Sequence, residues 1–107
     1  MSTIDALSSV CVTERCEYVI YQACCVAVRD RKTGEWLDEH HALEERVALV
    51  PTTHAAIGGA LWDLEIHTFG VRLHAGPVLA VQKPDSATSA LIEQLMHHGS
   101  WRLRSAA

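Results

Sequence analysis

Apolar residues crowd both alternating faces of the segment from Glu17 to Arg29. Tyr18, Val19, Ile20, Tyr21, Cys24, Cys25, Val26 and Val28 are interrupted there only by Gln22 and the small Ala23 and Ala27. β-Branched, aromatic and cysteine side chains favour extended backbone, and a strand apolar on both faces is covered on both sides. Arg31-Lys32-Thr33-Gly34 then reads as a turn, its glycine offering the positive φ a hairpin needs. The pattern predicts a hairpin of residues 17–29 and about 35–39, with Trp36 and Leu37 on the return strand.

A stricter period follows. Trp62, Leu64 and Ile66 alternate with Asp63, Glu65 and His67; after Thr68 the phase flips, and Phe69, Val71 and Leu73 alternate with Gly70, Arg72 and His74. Alternation of this kind predicts two half-buried strands with one wet face, and the flip predicts a tight turn or a bulge between them. Val47 to Val50 reads as a short buried strand stopped by Pro51, and Val78 to Gln82 as another strand after the Ala75-Gly76-Pro77 turn. Thr52 to Ala60 holds Gly58-Gly59 and reads as a loop or one frayed turn.

The best helical pattern opens at Lys83-Pro84-Asp85-Ser86. Asp85 or Ser86 caps it, Ala87, Leu91 and Leu95 with Ile92 and Met96 form its apolar stripe, and Gly99 closes it after His97 and His98. Ser2-Thr3-Ile4-Asp5 resembles a second, shorter helix start, with Ile4, Leu7 and Val10 on one face; Trp101 and Leu103 suggest a short final strand. This order predicts one α+β domain over residues 1–107. Its expected form is a largely antiparallel sheet of about five to six strands, free to curl into an open barrel. The C-terminal helix at about 86–98 packs on one face of that sheet. One helix covers only part of one face of the 17–29 strand, so a homodimer is expected, with sheet or helix surface at its interface.

Composition narrows the partners. The chain has 107 residues with 13 Asp+Glu against 9 Lys+Arg, a net charge of −4. Affinity for a phosphate backbone rests on clustered cations, so no nucleic-acid partner is expected; the sole basic cluster is Arg102 and Arg104 beside Trp101. The longest purely apolar run, Ala23 to Val28, is far short of the ~20 residues of a membrane span, so no membrane partner is expected either. Residues 1–15 show neither a basic n-region nor an apolar h-region, which points to a cytoplasmic location. The charge is lopsided: residues 1–50 hold nine acids against five bases, while residues 51–107 balance four against four and hold five of the seven histidines.

Four cysteines stand at positions 11, 16, 24 and 25. The C-x4-C spacing of Cys11 and Cys16 lacks the second close pair a zinc knuckle needs, because adjacent strand side chains point to opposite faces. Reduced thiols are expected, with Cys24 and Cys25 serving as small core residues. No cofactor and no metal is called for. There is no G-x-S-x-G, no phosphate-binding glycine loop and no H-E-x-x-H.

Two clusters remain. If the 62–74 segment is a hairpin connected through 68–71, His67 lies opposite Arg72 and Glu65 opposite His74 on its polar face. A carboxylate beside an imidazole fixes the tautomer and raises basicity. Against this stands an ordinary solvated sheet face with cross-strand pairs. The second cluster is Asp38-Glu39-His40-His41 with Glu44 and Glu45, either a helix with i,i+4 His–Glu pairs or a charged surface segment. The reading that results is a small binding or accessory module, acting through protein–protein contacts or a modest apolar ligand pocket. Trp62, Glu65, His67, Arg72 and His74 are its candidate ligand-binding residues, and no residue is assigned as catalytic. The alternative is a small enzyme or metal-binding protein in which Glu65, His67 and His74 do acid/base chemistry on a small anion held by Arg72.

Overall fold

A computed structural model of the chain describes residues 7–52 and 61–98. Within them run β1 (Ser8–Val12), β2 (Cys16–Tyr21), β3 (Cys24–Asp30), β4 (Arg46–Pro51), β5 (Trp62–Thr68), β6 (Val71–Pro77), β7 (Ala80–Gln82) and the helix α1 (Ser86–His98). The strands form one antiparallel sheet in the order β6-β5-β4-β3-β2-β1-β7. This is the α+β arrangement that the patterning predicts, with seven strands in place of five or six.

The count differs because the apolar segment from Glu17 to Arg29 is two strands, not one. Gln22 and Ala23 turn the chain with φ of 51° and 63°, and β2 runs back along β3 with Tyr21 opposite Cys24. Both strands face the sheet interior on one side and the helix on the other, so no polar stripe marks the reversal. Val10, assigned to a helical stripe by its spacing, sits instead on β1 opposite Val19. The expected return strand at 35–39 shrinks to a single bridge between Arg29 and Trp36. The Ser2–Asp5 helix start, the Gly58-Gly59 loop and the Trp101–Leu103 strand lie outside the described residues.

The sheet is open but curled, and a short link brings its two ends near each other. β6 and β7 stand at opposite ends of the strand order, yet only Val78 and Leu79 join them, a span of at most ~11 Å. The Val78 N–H donates to the Trp62 carbonyl on β5 (2.8 Å), and the Leu79 N–H donates to the Val12 carbonyl on β1 (2.7 Å). The seam between β3 and β4 is thinner, with Cys24 opposite Arg46 as its one ladder pair. Residues 36–45 plug it. Leu37 N–H donates to Val28 O, Cys25 N–H to Glu45 O and Glu44 N–H to Cys25 O, and Ala42 is fully buried behind them.

Two apolar clusters follow from this curl. Inside it, Cys11, Tyr18, Ile20, Cys25 and Val28 meet Val47, Leu64, Ile66 and Val78. Outside it, Val10, Val12, Val19, Val26 and Ala27 lie beneath Ile92 of α1, flanked by Leu91, Leu95 and Met96. The helix runs over the predicted residues, and Asp85 is its cap: the Thr88 N–H donates to Asp85 Oδ1 at 2.8 Å.

Candidate functional site

The β5–β6 hairpin carries the first cluster. Phe69 and Gly70 form a two-residue turn with φ of 49° and 74°, the left-handed pair of a type I′ connection. It sets the register that the alternation predicts, His67 opposite Arg72 and Glu65 opposite His74. A bulge beyond Glu65 then places Leu64 opposite Gly76. Glu65 faces outward yet is only 8% exposed. Its Oε1 lies 2.6 Å from His67 Nε2 and 3.8 Å from Arg72 Nε. The structure therefore gathers three of the expected residues on one carboxylate. His74 stands beside Glu65 in the ladder without a hydrogen bond to it, and Trp62 falls on the opposite face with Leu64 and Ile66. The Arg72 side chain is 73% exposed, which screens its pairing with Glu65.

A second constellation lies at one mouth of the curled sheet, around a cavity of about 300 Å³. The β1–β2 turn from Thr13 to Cys16, Tyr18, the His40-His41 pair and the end of β6 from His74 to Pro77 line it. The turn is held by the Thr13 hydroxyl, which donates to the Cys16 carbonyl (3.1 Å) and accepts from its N–H (3.3 Å). His40 meets Tyr18 edge-on with ring centroids 5.5 Å apart, and His41 stacks on His40 at 4.3 Å. The Ala42 N–H donates to His40 Nδ1 at 3.0 Å, which leaves the ring proton on Nε2. The segment 38–46, read from sequence as a polar helix or a charged surface stretch, is thus a loop up to Glu45, with Arg46 opening β4; the loop drives Ala42 into the core and brings His40 to the cavity.

The environment keeps these groups uncharged. Burial, and then the neighbouring His41, lower the pKa of His40 below its ordinary 6.5. Burial above all pushes the Tyr18 phenol up to about 12. Burial and the Asp30 carboxylate raise the Cys16 thiol. At neutral pH Tyr18, Cys16 and His40 are therefore neutral hydrogen-bonding groups, and Cys16 is a poor nucleophile because thiolate is the reactive form. The formal charges in the lining, Glu14 and Arg15, are exposed and opposite in sign.

Local pattern gives no hint of this cavity. Its lining comes from separate stretches of chain, and Cys16 and Tyr18 read as plain strand residues until the curl brings His40 against them. Two further hollows are present, a groove of about 290 Å³ between α1 and the Trp36–Leu43 loop and a smaller one of about 70 Å³ at the start of α1. Glu65, His67 and Arg72 line none of the three.

All four cysteines are free, and burial pushes Cys11 up to about 11 and Cys25 to about 12. Among the described residues no three His, Cys, Asp or Glu side chains come together as a metal-binding set, and no helix is long and apolar enough to cross a membrane. No protein-family model matches the chain, and no curated protein or solved structure matches it.

Proposed function

We propose that the protein is a small binding module that takes an uncharged, partly apolar small molecule into the cavity at the mouth of its curled sheet. The observation that carries this reading is the lining: Tyr18 with its neutral phenol, a neutral His40 and a protonated Cys16 around a cavity of about 300 Å³. That volume is at the lower end of ligand pockets, and barrel mouths are a usual place for them. A charged ligand would lose hydration without a buried countercharge to replace it, whereas a neutral one keeps its hydrogen bonds. The free, protonated cysteines fit a reducing compartment, which supports a cytoplasmic location.

A thermal-shift panel of small neutral and charged compounds tests the proposal. A ligand at ten times its Kd stabilises by ~1.4 kcal/mol, or a Tm rise of about 5–8 °C in a chain of this size. The rise should follow neutral compounds and disappear in Tyr18→Phe combined with His40→Asn. A response confined to anions, or one that survives the double variant, refutes the assignment.

One observation favours a second reading, acid/base or metal chemistry on the outer face of β5–β6. The Glu65 carboxylate holds the His67 imidazole at 2.6 Å, the arrangement of an oriented base. A metal-induced Tm rise abolished in both His67→Ala and His74→Ala supports it. No response to any divalent metal or small anion removes it.

A further inference from the structure

The loop of residues 36–45 is closed by a histidine at a position where many turns place aspartate or asparagine. Those residues are favoured at the start of a β-turn because the side chain accepts from the N–H two residues on. His40 stands in that place. Its carbonyl accepts from the Leu43 N–H at 3.0 Å, and its Nδ1 accepts from the Ala42 N–H at 3.0 Å. Behind the turn Ala42 is fully buried, and the Glu44 N–H and the Glu45 carbonyl bond to the main chain of Cys25 on β3. The seam that the loop covers has one ladder pair, so the loop carries much of the joint between β3 and β4.

An imidazole differs from an amide in this position because it takes up a proton near neutral pH, at the nitrogen with the free lone pair. With Nε2 already protonated, that nitrogen is Nδ1, and its new N–H would face the Ala42 N–H across 3.0 Å. A hydrogen bond becomes a contact between two donors. The surroundings do not offset this. Tyr18 and Cys16 on β2 are neutral, Arg15 of the β1–β2 turn is already positive, and Glu14 lies exposed on the rim, where water screens it. His41, stacked on His40 at 4.3 Å, and His74 on β6 become positive over the same pH range. Burial, and then His41, disfavour the charged ring.

We propose that His40 is a proton-operated latch: its protonation opens the 36–45 loop, which forms one wall of the cavity, while the strands stay folded. The proton enters at Nδ1, the Ala42 N–H loses its acceptor and turns to water, and Ala42 leaves the core. His40 and His41 move away with the loop, so the cavity loses that wall and a bound neutral compound is released in acid. This gating role rests on the cavity reading; the opening of the loop does not. The open loop binds the proton more tightly than the closed one, so opening is favoured as pH falls. One proton per opening, with the freed ring at its ordinary 6.5, limits the change in the opening equilibrium to about thirtyfold at pH 5.0.

Hydrogen exchange on the ligand-free full chain, corrected for the intrinsic rate at each pH, tests the opening apart from the cavity reading. At pH 7.5 peptides covering residues 36–45 are expected to be at least about tenfold less protected than those of β1 and β2, with little dependence on low urea, the mark of local opening. At pH 5.0 the loop should lose at least about threefold more protection. His40→Asn, whose side chain accepts from the Ala42 N–H without titrating, should lose less than about twofold over the same range. Nitrogen NMR of the rings in the unmodified chain decides even where that variant itself loosens the loop. His40 Nδ1 should appear as an unprotonated acceptor at pH 7.5 and gain its proton over the range in which the loop loses protection. Loop protection that does not change with pH overturns the proposal. So does a loop that matches β1 and β2 in protection and urea dependence, an equal pH effect in His40→Asn, or a His40 ring already protonated on Nδ1 at pH 7.5.

Discussion

Replacing Ile92 with alanine tests the joint between helix and sheet on which the rest of the architecture depends. Thirteen residues of α1 form too short a helix to persist alone in water, so its stability comes from docking. Ile92 is its one fully buried apolar side chain and sits on Val10, Val12, Val19, Val26 and Ala27. The substitution removes three carbons, which at ~0.8 kcal/mol each is ~2.4 kcal/mol of transfer free energy. The ladder from β1 to β3 holds the valines below in place, so the hole cannot close, and a cavity contribution of ~1 kcal/mol is added. The expected loss is therefore ~3–4 kcal/mol, a large share of the ~5–15 kcal/mol that stabilises a domain. In urea, with a slope of ~1–2 kcal/mol/M, the midpoint should fall by about 2–3 M. Leu79→Ala, at a position 48% exposed, is the control and should cost under ~0.5 kcal/mol. A loss below ~1 kcal/mol for Ile92→Ala at unchanged slope would refute the assignment of α1 to this face.

Three more outcomes follow from the same structure. Burial holds the Cys11 and Cys25 thiols up at about 11 and 12, so at pH 8 a thiol reagent should label the half-buried Cys24 first. Cys11 and Cys25 should react only in denaturant, as peptide mass spectrometry would show; fast native labelling of Cys25 contradicts its burial. His40 has a folded-state pKa below its ordinary 6.5, so the unfolded chain binds more protons and stability falls as pH drops through that value. His40→Asn, which keeps an acceptor for the Ala42 N–H, should flatten that part of the pH–stability curve, and an unchanged curve would rule His40 out as its source. Ala23 is held at φ 63°, a conformation that costs a residue with a side chain ~1 kcal/mol, so Ala23→Gly should raise stability by ~0.5–1 kcal/mol in urea melts despite the usual cost of glycine.

How much was legible depended on what covers each strand. β5 and β6 have one wet face, so their polar residues alternate, and the phase flip after Thr68 placed the turn and the register correctly. The cap at Asp85 and the stripe through Leu91, Ile92 and Leu95 set the helix bounds in the same local way. β2 and β3 are apolar on both sides, and the Gln22-Ala23 turn between them uses neither glycine nor asparagine, so nothing in the pattern announced a reversal. β1 was misread for a related reason: Val10 and Val12 pack under the helix while Cys11 packs inside, and a short apolar run covered on both sides has no period to read. The cavity was beyond any local reading, because it exists only once the β1–β2 turn, the His40 loop and the end of β6 converge.

These two kinds of strand pattern state where α1, the helix of the described residues, goes. It covers the outside of β1, β2 and β3, and there the outward residues are Val10, Val12, Val19 and Val26. Beyond its reach the outward residues of β5 are Asp63, Glu65 and His67, and those of the first half of β6 are Arg72 and His74. The Glu65–His67–Arg72 cluster is thus the expected chemistry of an uncovered face, and its polarity needs no ligand to explain it. The same argument does not account for Phe69, Val71 and Leu73, which are apolar where no element of the described chain covers them. Nor does it account for the neutral aromatic groups walling an open cavity. Those two departures from simple covering, not the charged face, are what the covering argument leaves unexplained, and the proposed binding site rests on the second of them.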